Sequence, residues 1–122
     1  MLANAGLRAR DVEVLETHGT GTALGDPIEV NAAASVLGAE RERPLLLGAL
    51  KSQIGHTEAA AGIAGVIKSV LSLEHEELPG NLHVRELNPH LDWERLPVDV
   101  LRERRAWPRR EGHVRRIGVS SF

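Results

Sequence analysis

The stretch TEAAAGIAGVIKSVLSLE, Thr57 to Glu74, restricts the folds open to this chain more than any other. Its first half carries Ala59, Ala60, Ala61, Gly62, Ala64 and Gly65, a helical sequence with almost no side-chain bulk. Glycine inside a helix costs about 1 kcal/mol relative to alanine, so neighbouring backbone must approach closely enough to require it. The expectation is a helix capped by Thr57, buried all round, with layers of structure on both sides. The core must suit it: apart from Trp93, Trp107 and Phe122 there are no aromatic residues, which leaves Ala, Val, Leu, Ile and Gly to pack at short range.

Around this helix the chain reads as alternating strands and helices. Val12 to Glu16 is a short β-branched run ending in the glycine-rich loop HGTGTALGD. Asp26 in the N-cap position, Pro27 in the first turn and Glu29 three residues after Asp26 predict a helix from Pro27 to Leu37 opened by a capping box and ended by Gly38. Leu45 to Leu50 is a continuous apolar strand of the kind covered on both faces, and its far end delivers Lys51. From Leu78, LPGNLHVRELNPHLDW reads as an extended excursion, followed by strands around Val98 to Leu101 and Arg115 to Ser120. Both ends read as cuts, Met1 in the last turn of a helix and Phe122 just after a strand.

Composition removes several function classes. The 122 residues carry a formal net charge of −2, which gives no general attraction to nucleic acid or to an anionic membrane. Apolar runs are interrupted well short of the roughly 18 residues a membrane span needs, and no signal peptide follows Met1, so a cytoplasmic location is expected. With no cysteine there is no disulfide, thiolate metal site or cysteine nucleophile in this chain. Six histidines, at 18, 56, 75, 83, 90 and 113, show no tight ligand spacing, and no metal site is expected.

Two of those histidines repeat one arrangement. His18 follows a strand and opens a Gly-Thr-Gly-Thr loop. Lys51 and His56 follow another strand through a short turn that leads into a helix. A lone histidine at a strand end is more often a satisfied hydrogen-bonding residue than a catalyst, but two such junctions can converge on one pocket. Neutral imidazoles that each donate one N–H toward the same point would stabilise an oxyanion or enolate. A rival reading takes Gly19, Gly21 and Gly25 as a dinucleotide-binding turn; against it, Asp26 and Glu29 set carboxylates at the helix N-terminus, where a phosphate would be repelled. Seven arginines between Arg102 and Arg116 form the one basic stretch, either a solvated strand face or a docking surface for an acidic partner.

Taken together, ETHGTGTALGDPIE at Glu16 to Glu29 and LKSQIGHTEAAAGIAGVIK at Leu50 to Lys68 resemble the two histidine motifs of β-ketoacyl synthase domains, especially those of modular type I polyketide synthases. LPGNLHVRELNPHLDW and RRIGVSSF resemble later segments of the same family, so the likeness spans nearly the whole chain. It implies an α/β, thiolase-like fold of two similar halves in five layers. Residues 1–122 would be the C-terminal half, with a mixed sheet and the small-residue helix buried after His56.

The resemblance also implies a reaction: an acyl group loaded from a carrier-protein thioester onto cysteine, then attacked by a malonyl-type extender as it loses CO2. His18 and His56 match the family's two histidines and Lys51 its active-site lysine. Thr20 and Thr22 match positions that contact the phosphopantetheine arm, while Asp26 and Glu29 look structural. No cofactor would bind directly; substrates would arrive on the phosphopantetheine of an acyl carrier protein. Gln53 stands where the family usually has Asn. The nucleophilic cysteine belongs to the N-terminal half, absent here, and a glycine-rich GTN segment is expected after Phe122, so the chain alone is expected to be inactive. The intact family is commonly dimeric. A noncatalytic half, like the chain-length factors that keep the fold and lose the cysteine, is the other reading left open.

Overall fold

The computed structural model describes residues 2–122, so the helical turn expected at Met1 lies outside the described residues. Four short strands form its centre: β1 (Val14–Glu16), β2 (Leu45–Gly48), β4 (Val98–Val100) and β6 (Ile117–Val119), in the order β4-β2-β1-β6 and all parallel. Antiparallel pairing of named strands is confined to a separate two-residue ribbon between β3 (Glu77–Leu78) and β5 (Arg105–Ala106). The single mixed sheet expected from the resemblance is thus not found among the described residues: the central sheet is wholly parallel and the ribbon wholly antiparallel. Parallel strands need long crossovers, which α1 (Gly25–Leu37) supplies between β1 and β2, and α3 (Ala61–Glu74), with the excursion after it, between β2 and β4.

Side-chain alternation splits the core into two. Leu15, Leu45 and Leu47 face one way and pack with Val30 and Ala34 of α1, with Leu91 and Val98. Val14 faces the other way and packs with Leu78, Leu101 and Trp107, with Leu46, Leu73 and Ile117 partly buried around them. This second side of the sheet carries α3. A Cβ added to Gly65 would lie 3.2 Å from Val119 and 3.3 Å from Glu16, and one on Gly62 3.6 Å from Ser121. The close approach expected from those glycines is present at Gly65, while at Gly62 a Cβ would make only ordinary van der Waals contact.

The all-round burial of α3 is not. Ala61, Gly65, Ser69 and Ser72 are buried against the sheet, while Ile63 is 58% and Ile67 54% exposed, with Val66, Val70 and Leu71 open beside them. The small residues mark the face that this chain covers. The bulky ones form the opposite face, for which these residues supply no covering layer. The start of α1 also differs from expectation. The helix begins at Gly25, its N-cap residue Leu24 makes no side-chain cap, and Asp26 and Glu29 reach back into the preceding loop instead of closing a capping box. Gly38 does end α1, its N–H bonded to the Ala34 carbonyl.

Thr57 likewise makes no side-chain cap; a 3-10 turn at Glu58–Ala60 precedes α3. Among the described residues no helix is long and apolar enough to cross a membrane.

Candidate active site

The sheet places β1 and β2 side by side at its centre, and both end on the same edge because they are parallel. Open α/β sheets bind ligands in the crevice outside that carboxyl edge. His18 stands two residues beyond β1. β2 runs through Ala49 and Leu50 into the single-turn helix α2 (Lys51–Ile54), after which Gly55 delivers His56. Gly55 has φ 78° and ψ −176°, a conformation essentially reserved to glycine.

The two imidazoles meet. Their ring centroids are 5.4 Å apart with planes at 83°, edge to face. Each ring has one nitrogen engaged by backbone: Nδ1 of His56 accepts the Glu58 N–H at 3.0 Å, and Nδ1 of His18 accepts the Phe122 N–H at 3.3 Å. A neutral imidazole that accepts at Nδ1 carries its proton at Nε2, so both rings present an Nε2–H donor. Phe122 also stacks on His18, centroids 4.3 Å apart. Glu58 has φ 49°, the left-handed region uncommon for a residue with a Cβ; backbone distortion of this kind sits beside the amide that orients His56.

Carboxylates hold the loop between them. Glu29 accepts the His18 and Gly19 amides on its two oxygens at 2.7 and 2.9 Å, and Asp26 accepts the Gly21 amide at 3.1 Å. These are the N–H groups a dinucleotide phosphate would need, and they are already paired with negative charge. The structural role expected of Asp26 and Glu29 has this specific form. Gly19, at φ 48°, could not carry a side chain in any case, since a Cβ would lie 2.8 Å from Ala49.

A groove of about 580 Å³ opens beside the rings, with Thr20, Lys51, His56 and Asn81 in its lining. His18 and Thr22 are not among its lining residues: His18 lies beneath Phe122, and Thr22 Oγ1 accepts the Gly25 N–H at 3.0 Å. Gln53 donates from Nε2 to the Gly80 carbonyl at 2.9 Å, fastening the turn after Lys51 to the LPGNLH segment.

Three contributors escaped the motif reading. Asn81 is buried and clamps the end of β2, accepting the Ala49 N–H at 2.7 Å and donating to the Leu47 carbonyl at 3.2 Å. Glu16 and Lys68 form a buried ion pair at 2.7 Å behind the histidines. Both lie inside the quoted motifs, but 52 residues separate them and nothing local in the sequence announces the contact.

Part of the arginine-rich stretch is engaged within the chain, three of its members in exposed surface pairs. Arg104, Arg105 and Arg109 pair with Glu77, Asp99 and Glu76. Arg115 donates to the Trp107 and Leu73 carbonyls and lies over the Trp107 ring. Among the described residues no three His, Asp or Glu side chains are placed to hold a metal ion.

Residues 1–85 match the family model described as Beta-ketoacyl synthase, C-terminal domain. The chain belongs to the β-ketoacyl synthase family. Among curated relatives, this ketosynthase sequence is 58% identical over 121 residues to erythronolide synthase EryA2 of Saccharopolyspora erythraea, covering 99% of the chain and 3% of that protein. It is 54% identical over 124 residues to mycoketide-CoA synthase of Mycobacterium tuberculosis, again 99% of the chain and 3% of the relative.

Solved structures agree. The ketosynthase from module 6 of the bacillaene synthase of Bacillus subtilis 168 superposes with a TM-score of 0.91 at 38% identity, covering 98% of this chain and 22% of that one. Ketosynthase twelve of the bacillaene polyketide synthase in Bacillus amyloliquefaciens gives 0.91 at 37% identity, covering 100% and 22%. The chain is thus the C-terminal portion of a ketosynthase domain of the type I polyketide synthase kind, with the thiolase-like α/β fold of those structures. It spans about a fifth of the solved ketosynthase chains and a few per cent of the curated relatives.

Proposed function

We propose that this chain supplies the two-histidine half of a decarboxylative Claisen condensation in polyketide or fatty-acid assembly. The observation that supports it is the pair of imidazoles 5.4 Å apart, each with Nδ1 occupied by a backbone N–H. In the proposed step, the bond between the extender's α-carbon and its carboxylate breaks, CO2 leaves, and the electron pair passes into an enolate whose oxygen takes hydrogen bonds from His18 and His56. The enolate carbon then attacks an acyl thioester and expels a thiolate. Two preorganised N–H donors aimed at a developing oxyanion act where charge appears.

Lys51, at the groove, would add positive charge to the local field rather than attack substrate. Thr20 and Thr22 would pair with the amides of the phosphopantetheine arm; Thr22, though accepting from Gly25, keeps its own hydroxyl proton to donate. The acyl-accepting cysteine must come from outside these 122 residues, which contain none. An N-terminal half carrying it, of the kind that makes up the rest of a ketosynthase domain, would also cover the open apolar face of α3. Residues 1–122 alone would then not condense substrate. An acyl carrier protein would deliver both acyl groups, and the intact domain would act as a homodimer in the cytoplasm.

The test is His56→Ala in the complete domain. Acyl loading should stay largely intact while extender decarboxylation falls about 10²- to 10³-fold. Unchanged decarboxylation would remove the proposed role of that ring.

A further inference from the structure

One buried carboxylate touches all three segments that carry the site. Glu16, the last residue of β1, stands two residues before His18. Its Oε1 accepts the N–H of Leu50, the residue before Lys51, and its Oε2 accepts Lys68 Nζ of α3, the helix that follows His56. The side chains of Glu16 and Lys68 are 6% and 11% exposed. Two glycines leave room for the pair: a Cβ on Gly48 would lie 3.0 Å from Glu16 Oε2 and 3.2 Å from Lys68 Nζ, and one on Gly65 would lie 3.3 Å from Glu16 Cγ. Glu16 backbone extends the same junction, its carbonyl accepting the Ser120 N–H at 2.8 Å two residues before Phe122, which in turn holds His18.

We infer that Glu16, charge-neutralised by Lys68, is a positioning residue that fixes the β2–α2 turn, and with it Lys51 and His56, against His18. This rests on the condensation reading above. The charge of Lys68 lets a carboxylate be buried at this point; the carboxylate oxygen on the Leu50 amide sets the geometry. Two functions of one side chain can be separated by substitution. Glu16→Leu with Lys68→Met removes both charges at similar volume and leaves the Leu50 amide without its acceptor. Glu16→Gln with Lys68→Met removes both charges yet keeps an amide oxygen for Leu50. Removing charges in pairs avoids the unpaired buried ion that breaks folding when one partner is lost.

The experiment uses the complete domain, with malonyl and methylmalonyl N-acetylcysteamine thioesters as decarboxylation probes, a propionyl N-acetylcysteamine thioester for acyl loading, and a thermal midpoint for each variant. The Leu/Met pair is expected to slow decarboxylation at least about 30-fold with loading within about 3-fold, and the Gln/Met pair to return decarboxylation to within about 5-fold of the parent, the smaller loss reflecting a retained hydrogen bond. The inference is overturned if the Leu/Met pair decarboxylates like the parent while His56→Ala does not. It is also overturned if loading, decarboxylation and thermal midpoint all fall together in the Leu/Met pair, or if the Gln/Met pair restores nothing. If His56→Ala itself leaves decarboxylation unchanged, the condensation reading fails first and this inference with it.

Discussion

Single residues set the geometry of the site through backbone conformation and through amides. Gly55, at φ 78° with open space where a Cβ would go, is needed for its conformation alone. Gly55→Ala should therefore cost about 1–3 kcal/mol of stability from backbone strain, read as a shift in the chemical-denaturation midpoint, and should lower decarboxylation because His56 follows directly. An unchanged midpoint would mean that the turn relaxes without penalty. Glu29 works by occupying amides. Glu29→Ala strips the His18 and Gly19 N–H groups of their acceptors and should destabilise the domain by about 1–3 kcal/mol, with amide exchange at residues 18–22 rising most. Uniform exchange across the chain would contradict a local role. That His18 and His56 could converge was legible in the two repeated strand-to-helix junctions, and the structure brings their rings together. What their neighbours do was not: an acidic residue at the start of a helix, followed three later by another, looks the same whether it caps the helix or reaches back to a loop, and here Asp26 and Glu29 do the second.

At the scale of elements, α3 carries the clearest lesson. Its run of Ala and Gly announced close packing, and Gly65 has it, but the composition could not separate a helix enclosed on every side from one enclosed on one side only. The difference lies in which residues share a face. Ala61, Gly65, Ser69 and Ser72 recur at helical spacing toward the sheet, and Ile63, Val66, Ile67 and Val70 recur on the side left open. Gly65→Val should overpack the contact with Val119 and Glu16 and cost about 1–3 kcal/mol, measured by denaturant unfolding of the complete domain. Ile63→Lys with Ile67→Glu should act in opposite directions in two settings. The 122-residue chain should associate less, as light scattering would read, because an exposed apolar patch is interrupted. The complete domain should lose stability, because the same face would be buried there. Equal behaviour in both settings would show that nothing covers α3. The β3–β5 ribbon and the Glu16–Lys68 pair were illegible for a related reason, since each joins residues far apart in sequence with no periodic pattern of their own.

For the molecule as a whole, the parallel order β4-β2-β1-β6 explains why two motifs some forty residues apart form one site: neighbouring parallel strands end together, and each motif begins where its strand stops. Fold class followed from the strand–helix alternation and the motif resemblance, whereas the pairing of both histidines with backbone amides required the structure. The proposed condensation requires His18 and His56 to act on one developing charge. A double-mutant cycle on decarboxylation in the complete domain, comparing His18→Ala, His56→Ala and the double variant, tests this directly. Residues that serve one point couple, so the double variant should lose less than the two single losses multiplied, with a coupling of at least about 1 kcal/mol. Losses that simply multiply, within about 0.5 kcal/mol, would show two rings working independently and would contradict the account.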